Sequence, residues 1–184
     1  MYKFVLYLDL DGVLTSSNYI VMVHKSFIKK NDKRFHYRNF MQQYCFQEEG
    51  VQYLNELYDL APYCIVLTST RRFQFDKNEW TFLFSLNGIK AEVVGRTDSF
   101  SFKPDKFTWR EDEIYKYHYH SSPFGKNNIP FIIIDDDNFD LMTYADKLIH
   151  VNTETGLTME YFEEAKQKLK SQNVELKENI ENGK

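Results

Sequence analysis

Residues 3–13 read KFVLYLDLDGV, and this stretch decides the fold class. A β-prone, mostly apolar run is followed at once by two aspartates and a glycine. Continuous apolar runs are typical of strands that are covered on both faces, as in a parallel sheet. Ligands of such sheets bind beyond the carboxyl ends of the strands, so the polar residues after the run are candidates for a functional site.

Apolar runs of the same kind recur along the chain, at CIVL 64–67, FIII 131–134, AEVV 91–94 and LIHV 148–151. Stretches with helical spacing of apolar residues accompany them, at roughly 48–60, 76–87, 110–120 and 158–170. Strands that alternate with helices predict an α/β fold in three layers, with a central parallel sheet and helices on both sides.

The length of 184 residues fits one ordinary domain, which we expect to span residues 1–170. The tail 171–184 is rich in Lys, Glu and Asn and has few apolar residues, so we expect it to be frayed or disordered. The stretch 98–109 lacks clear periodicity and predicts a loop near the site.

The composition excludes several classes of protein. A net charge of −4 argues against a chain that is basic overall and coats nucleic acid. Cys45 and Cys64 suggest neither a disulfide scaffold nor a zinc site, which fits a reducing, cytoplasmic setting. No run approaches the roughly 20 apolar residues of a membrane span, and no signal peptide is visible. We therefore expect no membrane partner, and no obligate protein partner is evident.

Three strand ends carry polar clusters that predict a shared crevice. The clusters are Asp9-Leu10-Asp11-Gly12-Val13, Thr68-Ser69-Thr70-Arg71-Arg72 and Asp135-Asp136-Asp137-Asn138-Phe139-Asp140. A single DxDG sequence could equally be a turn or a fragment of a calcium loop. Three clusters in this order favour chemistry, because mutually positioned groups weigh more than one motif.

The residue types in these clusters point to phosphoryl transfer. Asp9 and Asp11 are separated by one residue, so extended backbone directs both side chains the same way, and Gly12 lets the chain turn sharply. The acidic residues 135–137 would then repel them unless a hard cation intervened, and an all-oxygen ligand set suits Mg²⁺. A hydroxyl at 68 or 69 and a cation from 103–110 supply the groups that hold a phosphoryl group. A carboxylate nucleophile would give an aspartyl-phosphate, with a second carboxylate as acid and base.

The order of these motifs resembles the haloacid dehalogenase (HAD) superfamily: an apolar strand with DxDGV, a strand with TS, a basic residue, and a strand with DDxxxD. The resemblance implies a HAD-like Rossmannoid fold with a small or minimal cap and Mg²⁺-dependent phosphatase activity. Asp9 would be the nucleophile, Asp11 the general acid and base, and Thr68 the phosphate-binding hydroxyl. The metal would be held by Asp136, with Asp135 assisting, one oxygen of Asp9, the backbone carbonyl of Asp11, and Asp140 in an outer shell. Val13 departs from the threonine usual in the family.

A narrower resemblance is to the HAD domain of "Swiss Army Knife" RNA repair proteins. It is carried by LTSTRR 67–72, GRTD 95–98, REDEIYKY 110–117, IIIDDD 132–137 and ETGLT 154–158. Arg71 stands where that family has an aromatic residue, so Arg72 is the arginine carried over and is expected to bind substrate with Ser69 and Gly12. The third-motif cation is Arg110 or Lys103, and Arg110 is favoured because it opens the REDEI segment.

A basic segment at 24–38 contains six Lys or Arg residues against one Asp. HAD enzymes insert a flap or cap in this part of the chain, here at about 16–46. The segment could contact a nucleic-acid end, or it could be an exposed insert whose Lys stems cover apolar surface.

We therefore expect a phosphomonoesterase that acts on nucleic-acid ends, RNA or DNA, or on nucleotides. Two alternatives stay open: a small-metabolite phosphatase, and a catalytically weak HAD-fold module that recognises phosphate without turnover. The presence of both Asp9 and Asp11 argues against the weak module.

Overall fold

The computed structural model describes residues 1–29, 46–98 and 109–177. Within them, five parallel strands form one sheet in the order β3-β2-β1-β4-β5. The strands are β1 (Phe4–Leu8), β2 (Tyr63–Leu67), β3 (Glu92–Arg96), β4 (Phe131–Asp135) and β5 (Leu148–His150). The central strand is thus β1, and the first two aspartates, Asp9 and Asp11, come directly after it.

Within the described parts of the chain, five α-helices accompany the sheet. They are α1 (Ser17–Lys29), α2 (Glu48–Leu60), α3 (Lys77–Leu86), α4 (Arg110–Lys116) and α5 (Met159–Ser171). The predicted helix 110–120 is interrupted: α4 ends at Lys116, and a single π-helical turn covers Tyr117–Ser121. A capping box explains why α3 starts where it does, because Asp76 accepts from the backbone of Glu79 while the Glu79 side chain accepts from the backbone of Asp76.

The side chains of β1 alternate between two apolar layers, which places helices on both faces of the sheet. Phe4, Leu6 and Leu8 join a cluster with the buried faces of α2, α3 and α5. Val5 and Tyr7 join a second cluster that contains Ile114 of α4. The three-layer α/β architecture predicted from the sequence is confirmed, since every residue of the central strands is buried.

The predicted polar tail is partly packed against the domain. Val174 is buried in the first core cluster, Leu176 packs against it, and the amide of Lys177 donates to the carbonyl of Leu60. This differs from the expectation of a frayed tail beginning at Ser171, because two apolar residues in a polar stretch are enough to anchor it. Residues 178–184 lie outside the described part.

Two other sequence predictions fall largely outside the described residues. The insert at about 16–46 is described up to residue 29 and again at residue 46, and its first described part contains α1. The loop 98–109, with Lys103, is described only at its two ends. The extent of the domain and its insert stays a prediction. None of the described helices is long and apolar enough to cross a membrane.

Candidate active site

Three carboxylates from two neighbouring strands meet at the carboxyl edge of the sheet. Asp9 follows β1 directly, Asp135 is the last residue of β4, and Asp136 comes next. The amide of Asp9 donates to the carbonyl of Ile134, which continues the ladder between the two strands. Oxygen atoms of all three carboxylates lie within 4.8 Å of one another. The fold therefore gathers an all-oxygen set of ligands of the kind that Mg²⁺ prefers.

The acidic cluster carries more negative charge than its surroundings balance. Asp9 is only 5% exposed, and burial raises its pKa, as does the neighbouring charge of Asp135, although Arg110 opposes the shift. Burial also raises the pKa of Asp135, again against the attraction of Arg110. A bound cation would offset this excess charge, so the residues present fit a divalent metal ion.

Arg110 is the cation that the structure places at the cluster. It opens α4, and its guanidinium forms an ion pair with Asp135 while its Nε lies 3.9 Å from Asp140 Oδ2. Burial alone would lower the pKa of Arg110, but the charge of Asp135 and its hydrogen bond outweigh burial and raise it. Of the two third-motif candidates, Arg110 lies beside the carboxylates, and Lys103 lies outside the described residues.

The two predicted hydroxyls after β2 are used differently. Thr68 is fully buried, and its Oγ1 has no hydrogen-bond partner within the described parts of the chain. Ser69 Oγ accepts a hydrogen bond of 3.3 Å from the amide of Arg71 and so caps the 3-10 turn Thr70–Phe73. A buried hydroxyl without a partner is costly, so Thr68 is the one that fits a ligand oxygen.

Asp11 does not join the three-carboxylate cluster. Its Oδ1 accepts hydrogen bonds from Arg71 Nη1 at 3.0 Å and from Thr15 Oγ1 at 3.3 Å, and its side chain is 47% exposed. The part that its backbone carbonyl plays in metal binding stays a prediction. Arg71 is a buried residue that the sequence interpretation passed over in favour of Arg72.

A glycine is required at position 12 because a side chain there would clash with Asp136. Its φ is +75°, and a Cβ at this position would lie 2.0 Å from Asp136 Oδ2. Its amide donates to the carbonyl of Thr15 at 3.2 Å. Any larger residue would therefore displace the Asp136 carboxylate, whatever part Gly12 plays in binding substrate.

Asp136 faces the cluster and Asp137 does not. Asp136 Oδ2 accepts from Thr153 Oγ1 at 2.8 Å, and its backbone oxygen lies 3.0 Å from His150 Nε2. Asp137 is exposed, and its Oδ1 accepts from the amide of Phe139 at 2.9 Å, which stabilises the loop. The sequence interpretation did not find Thr153 or His150, which support Asp136 from the end of β5.

Arg72 makes its hydrogen bonds to groups outside the three-carboxylate cluster, and its expected part in substrate binding stays a prediction. Its Nε donates to the carbonyl of Thr97, its Nη1 to those of Thr68 and Ser69, and its Nη2 to Glu113 Oε2 at 2.9 Å. Both members of the Arg72–Glu113 pair are buried. Arg72 thus ties the turn after β2 to α4, because its donors are committed to the protein itself.

A comparison with models of protein families identifies the family of this chain. The model of the HAD domain in Swiss Army Knife RNA repair proteins matches residues 5–162, which include the acidic cluster and all of the described sheet except Phe4. The chain belongs to this family. The resemblance read from the sequence is confirmed, as is the HAD-like fold. No match was found among curated proteins or among solved structures.

The ion pairs of Arg110 and Glu113 explain the spacing within REDEI 110–114. Arg110 and Glu113 are three residues apart on α4, and they hold different partners. Arg110 pairs with Asp135 of the acidic cluster, and Glu113 pairs with Arg72 of the turn after β2. One helical turn therefore links two of the strand-end segments.

Proposed function

We propose that this domain is an Mg²⁺-dependent phosphomonoesterase that forms an aspartyl-phosphate at Asp9 and acts on nucleic-acid ends or nucleotides. The observation that carries the proposal is the meeting of Asp9, Asp135 and Asp136 at the end of the central strands. Membership of a HAD family associated with RNA repair supports both the phosphatase activity and the substrate class. The basic segment 24–38 supports a polyanionic substrate.

The first step uses Asp9 as the nucleophile. One of its oxygens attacks the phosphorus atom, a bond forms between Asp9 and phosphorus, and the ester P–O bond breaks. Asp11 gives its proton to the leaving oxygen. The buried hydroxyl of Thr68 and the guanidinium of Arg110 would bind the oxygens of the phosphoryl group as charge develops on them, which is supported by the unsatisfied Thr68 Oγ1 and by the ion pair of Arg110 with Asp135.

The second step releases phosphate. Asp11, now ionised, accepts a proton from a water molecule whose oxygen attacks phosphorus, and the bond to Asp9 breaks. The hydrogen bonds from Arg71 and Thr15 hold the Asp11 carboxylate in one orientation beside the crevice for both transfers.

The metal ion would be held by Asp9, Asp135 and Asp136, with Asp136 as the main ligand of the fourth motif. When bound, it supplies positive charge that offsets the carboxylates and the incoming phosphate dianion. Thr153 and Gly12 act on the metal site through Asp136, one by a hydrogen bond and the other by leaving room for the carboxylate. The cytoplasmic setting stays a prediction from cysteine usage.

The experiment that tests this proposal is hydrolysis of an aryl phosphate with and without Mg²⁺. Asp9→Asn removes the nucleophile and keeps its size, so kcat should fall by at least about 10³-fold, and Asp11→Asn should lose turnover too. Asp137→Asn is the matched control, because this carboxylate neighbours the metal ligands but is exposed and outside the cluster.

Wild-type-like hydrolysis by Asp9→Asn would disprove the assignment of the nucleophile. A wild-type domain that binds phosphate but turns over no phosphomonoester would instead favour the binding-module alternative.

A further inference from the structure

Two exposed aromatic side chains belong to residues that neighbour the candidate site in sequence. Trp109 precedes Arg110, and Phe139 precedes Asp140. Their rings lie 5.3 Å apart between centroids, at an interplanar angle of 39°. Trp109 is nevertheless 37% exposed and Phe139 64% exposed. Single exposed apolar residues are ordinary, but a contacting pair of large aromatic residues at the edge of a polar site is unusual.

The backbone around both residues is tied to the site. The amides of Arg110 and Glu111 donate to Asp140, at its Oδ2 and its carbonyl, and so join the start of α4 to the loop after β4. The amide of Phe139 is held by Asp137 Oδ1. The two rings are therefore carried on anchored backbone, one next to Arg110, which pairs with Asp135, and the other next to Asp140, which contacts Arg110.

We propose that Trp109 and Phe139 form a stacking surface for the nucleobase of the nucleotide whose phosphate enters the site. This inference rests on the proposed phosphatase function and names how its substrate is recognised. A terminal nucleotide carries base and phosphate on one sugar, so a surface that recognises the base must border the phosphoryl site, and both rings belong to residues next in sequence to Arg110 and Asp140. Aromatic side chains bind any base through its π-face, which suits an enzyme that acts on ends of varied sequence.

Substitution of either ring preserves the backbone hydrogen bonds of these two residues. The backbone carbonyl of Trp109 accepts from the amides of Asp112 and Glu113, which any residue at this position would preserve. Phe139 is mostly exposed, so its removal leaves the core intact. Substitution of either ring should therefore leave the acidic cluster and its chemistry in place.

The test compares phosphorylated oligonucleotides whose terminal nucleotide either carries its base, which makes a complete end, or is abasic. Each pair is made once with the phosphate at the 3′ end and once with it at the 5′ end. Wild type should prefer the complete end. Trp109→Leu and Phe139→Leu should each lower kcat/KM for the complete end by about tenfold and leave kcat/KM for the abasic end unchanged. Phe139→Tyr keeps an aromatic face and should retain the preference.

Phe82→Leu is the matched control for removal of an exposed aromatic ring, since Phe82 is 63% exposed on α3, which packs against the edge strand β3. It should change neither rate. Equal rates on complete and abasic ends in wild type, or equal losses on both ends in the Leu variants, would overturn the stacking surface while leaving the phosphatase proposal intact.

A binding measurement separates the two proposals if turnover fails. In the Asp9→Asn background, adenosine monophosphate should bind at least about tenfold more tightly than ribose 5-phosphate, and Trp109→Leu should remove the difference. Base-dependent binding without turnover in wild type would support the surface and reject the phosphatase. Equal binding of the two ligands would reject the surface.

Discussion

Two sets of buried charges flank the first turn of α4, and they are balanced differently. On one side, the Arg72 guanidinium donates to Glu113 and to three backbone carbonyls. On the other side, the three carboxylates of Asp9, Asp135 and Asp136 lie together, and among the described residues the ion pair of this cluster joins Asp135 to Arg110, which also lies near Asp140. The first set is complete within the protein, whereas the second keeps an excess of negative charge.

The difference separates a structural use of buried charge from a functional one. A buried ion pair whose donors and acceptors are satisfied gains nothing from a ligand and loses much if one partner is removed. Burial raises the pKa of Asp9 in the acidic cluster, and the buried hydroxyl of Thr68 has no hydrogen-bond partner among the described residues, so under the proposed function a cation and a phosphate would offset both costs. Three stability measurements test this contrast.

The largest expected effect is on the structural side. Arg72→Met should lower the free energy of unfolding by about 3–5 kcal/mol, because it removes the ion-pair partner of the buried Glu113 carboxylate, which keeps only its hydrogen bond from Thr97 Oγ1, and the donor to three backbone carbonyls. Urea denaturation measures the change. Arg72→Met combined with Glu113→Gln should recover part of the loss, since the orphaned charge is gone. A loss below about 1 kcal/mol in the single variant would show that the pair is not structural.

A smaller effect of opposite sign is expected on the functional side, in protein freed of metal with EDTA. The pKa of Asp9 is higher in the folded protein than in the unfolded chain, so ionisation of Asp9 destabilises the fold increasingly as pH rises above about 4. Asp9→Asn should therefore raise the free energy of unfolding by about 1–3 kcal/mol at pH 8, and by much less at pH 4.

Chemical denaturation of both proteins at the two pH values measures this gain. Asp137→Asn, which removes an exposed carboxylate next to the cluster, should change stability little at either pH. Destabilisation by Asp9→Asn at pH 8 would contradict the view that the cluster is under-compensated.

The smallest effect is the gain from metal binding itself. Mg²⁺ at ten times its dissociation constant should stabilise the wild type by about 1.4 kcal/mol, a rise in Tm of about 3–5 °C. Asp136→Ala should abolish the rise because it removes a ligand, and Asp137→Ala should retain it. Thermal unfolding with and without Mg²⁺ measures the rise in Tm for each variant. If both variants lost the rise equally, the assignment of Asp136 as the metal ligand of the fourth motif would be wrong.

Much of the fold could be predicted because it depends on local pattern. The runs at 3–8, 64–67 and 131–134 became central strands, since continuous apolar residues fit only a sheet that is covered on both faces. The polar residues that follow such strands reach one edge of a parallel sheet. The meeting of Asp9 with Asp135 and Asp136 follows from that geometry.

The roles of the adjacent residues Arg71 and Arg72 could not be predicted from the local sequence pattern. Arg71 and Arg72 are adjacent on one 3-10 turn, and either could have faced the site. Arg71 contacts Asp11, 60 positions away, and Arg72 contacts Glu113, 41 positions away. Sequence determined the strands, the acidic motifs and the strand-end hydroxyls, because each depends on neighbours along the chain. Only the tertiary structure decided which arginine is structural and which groups support Asp136, because those choices depend on charges brought close by folding.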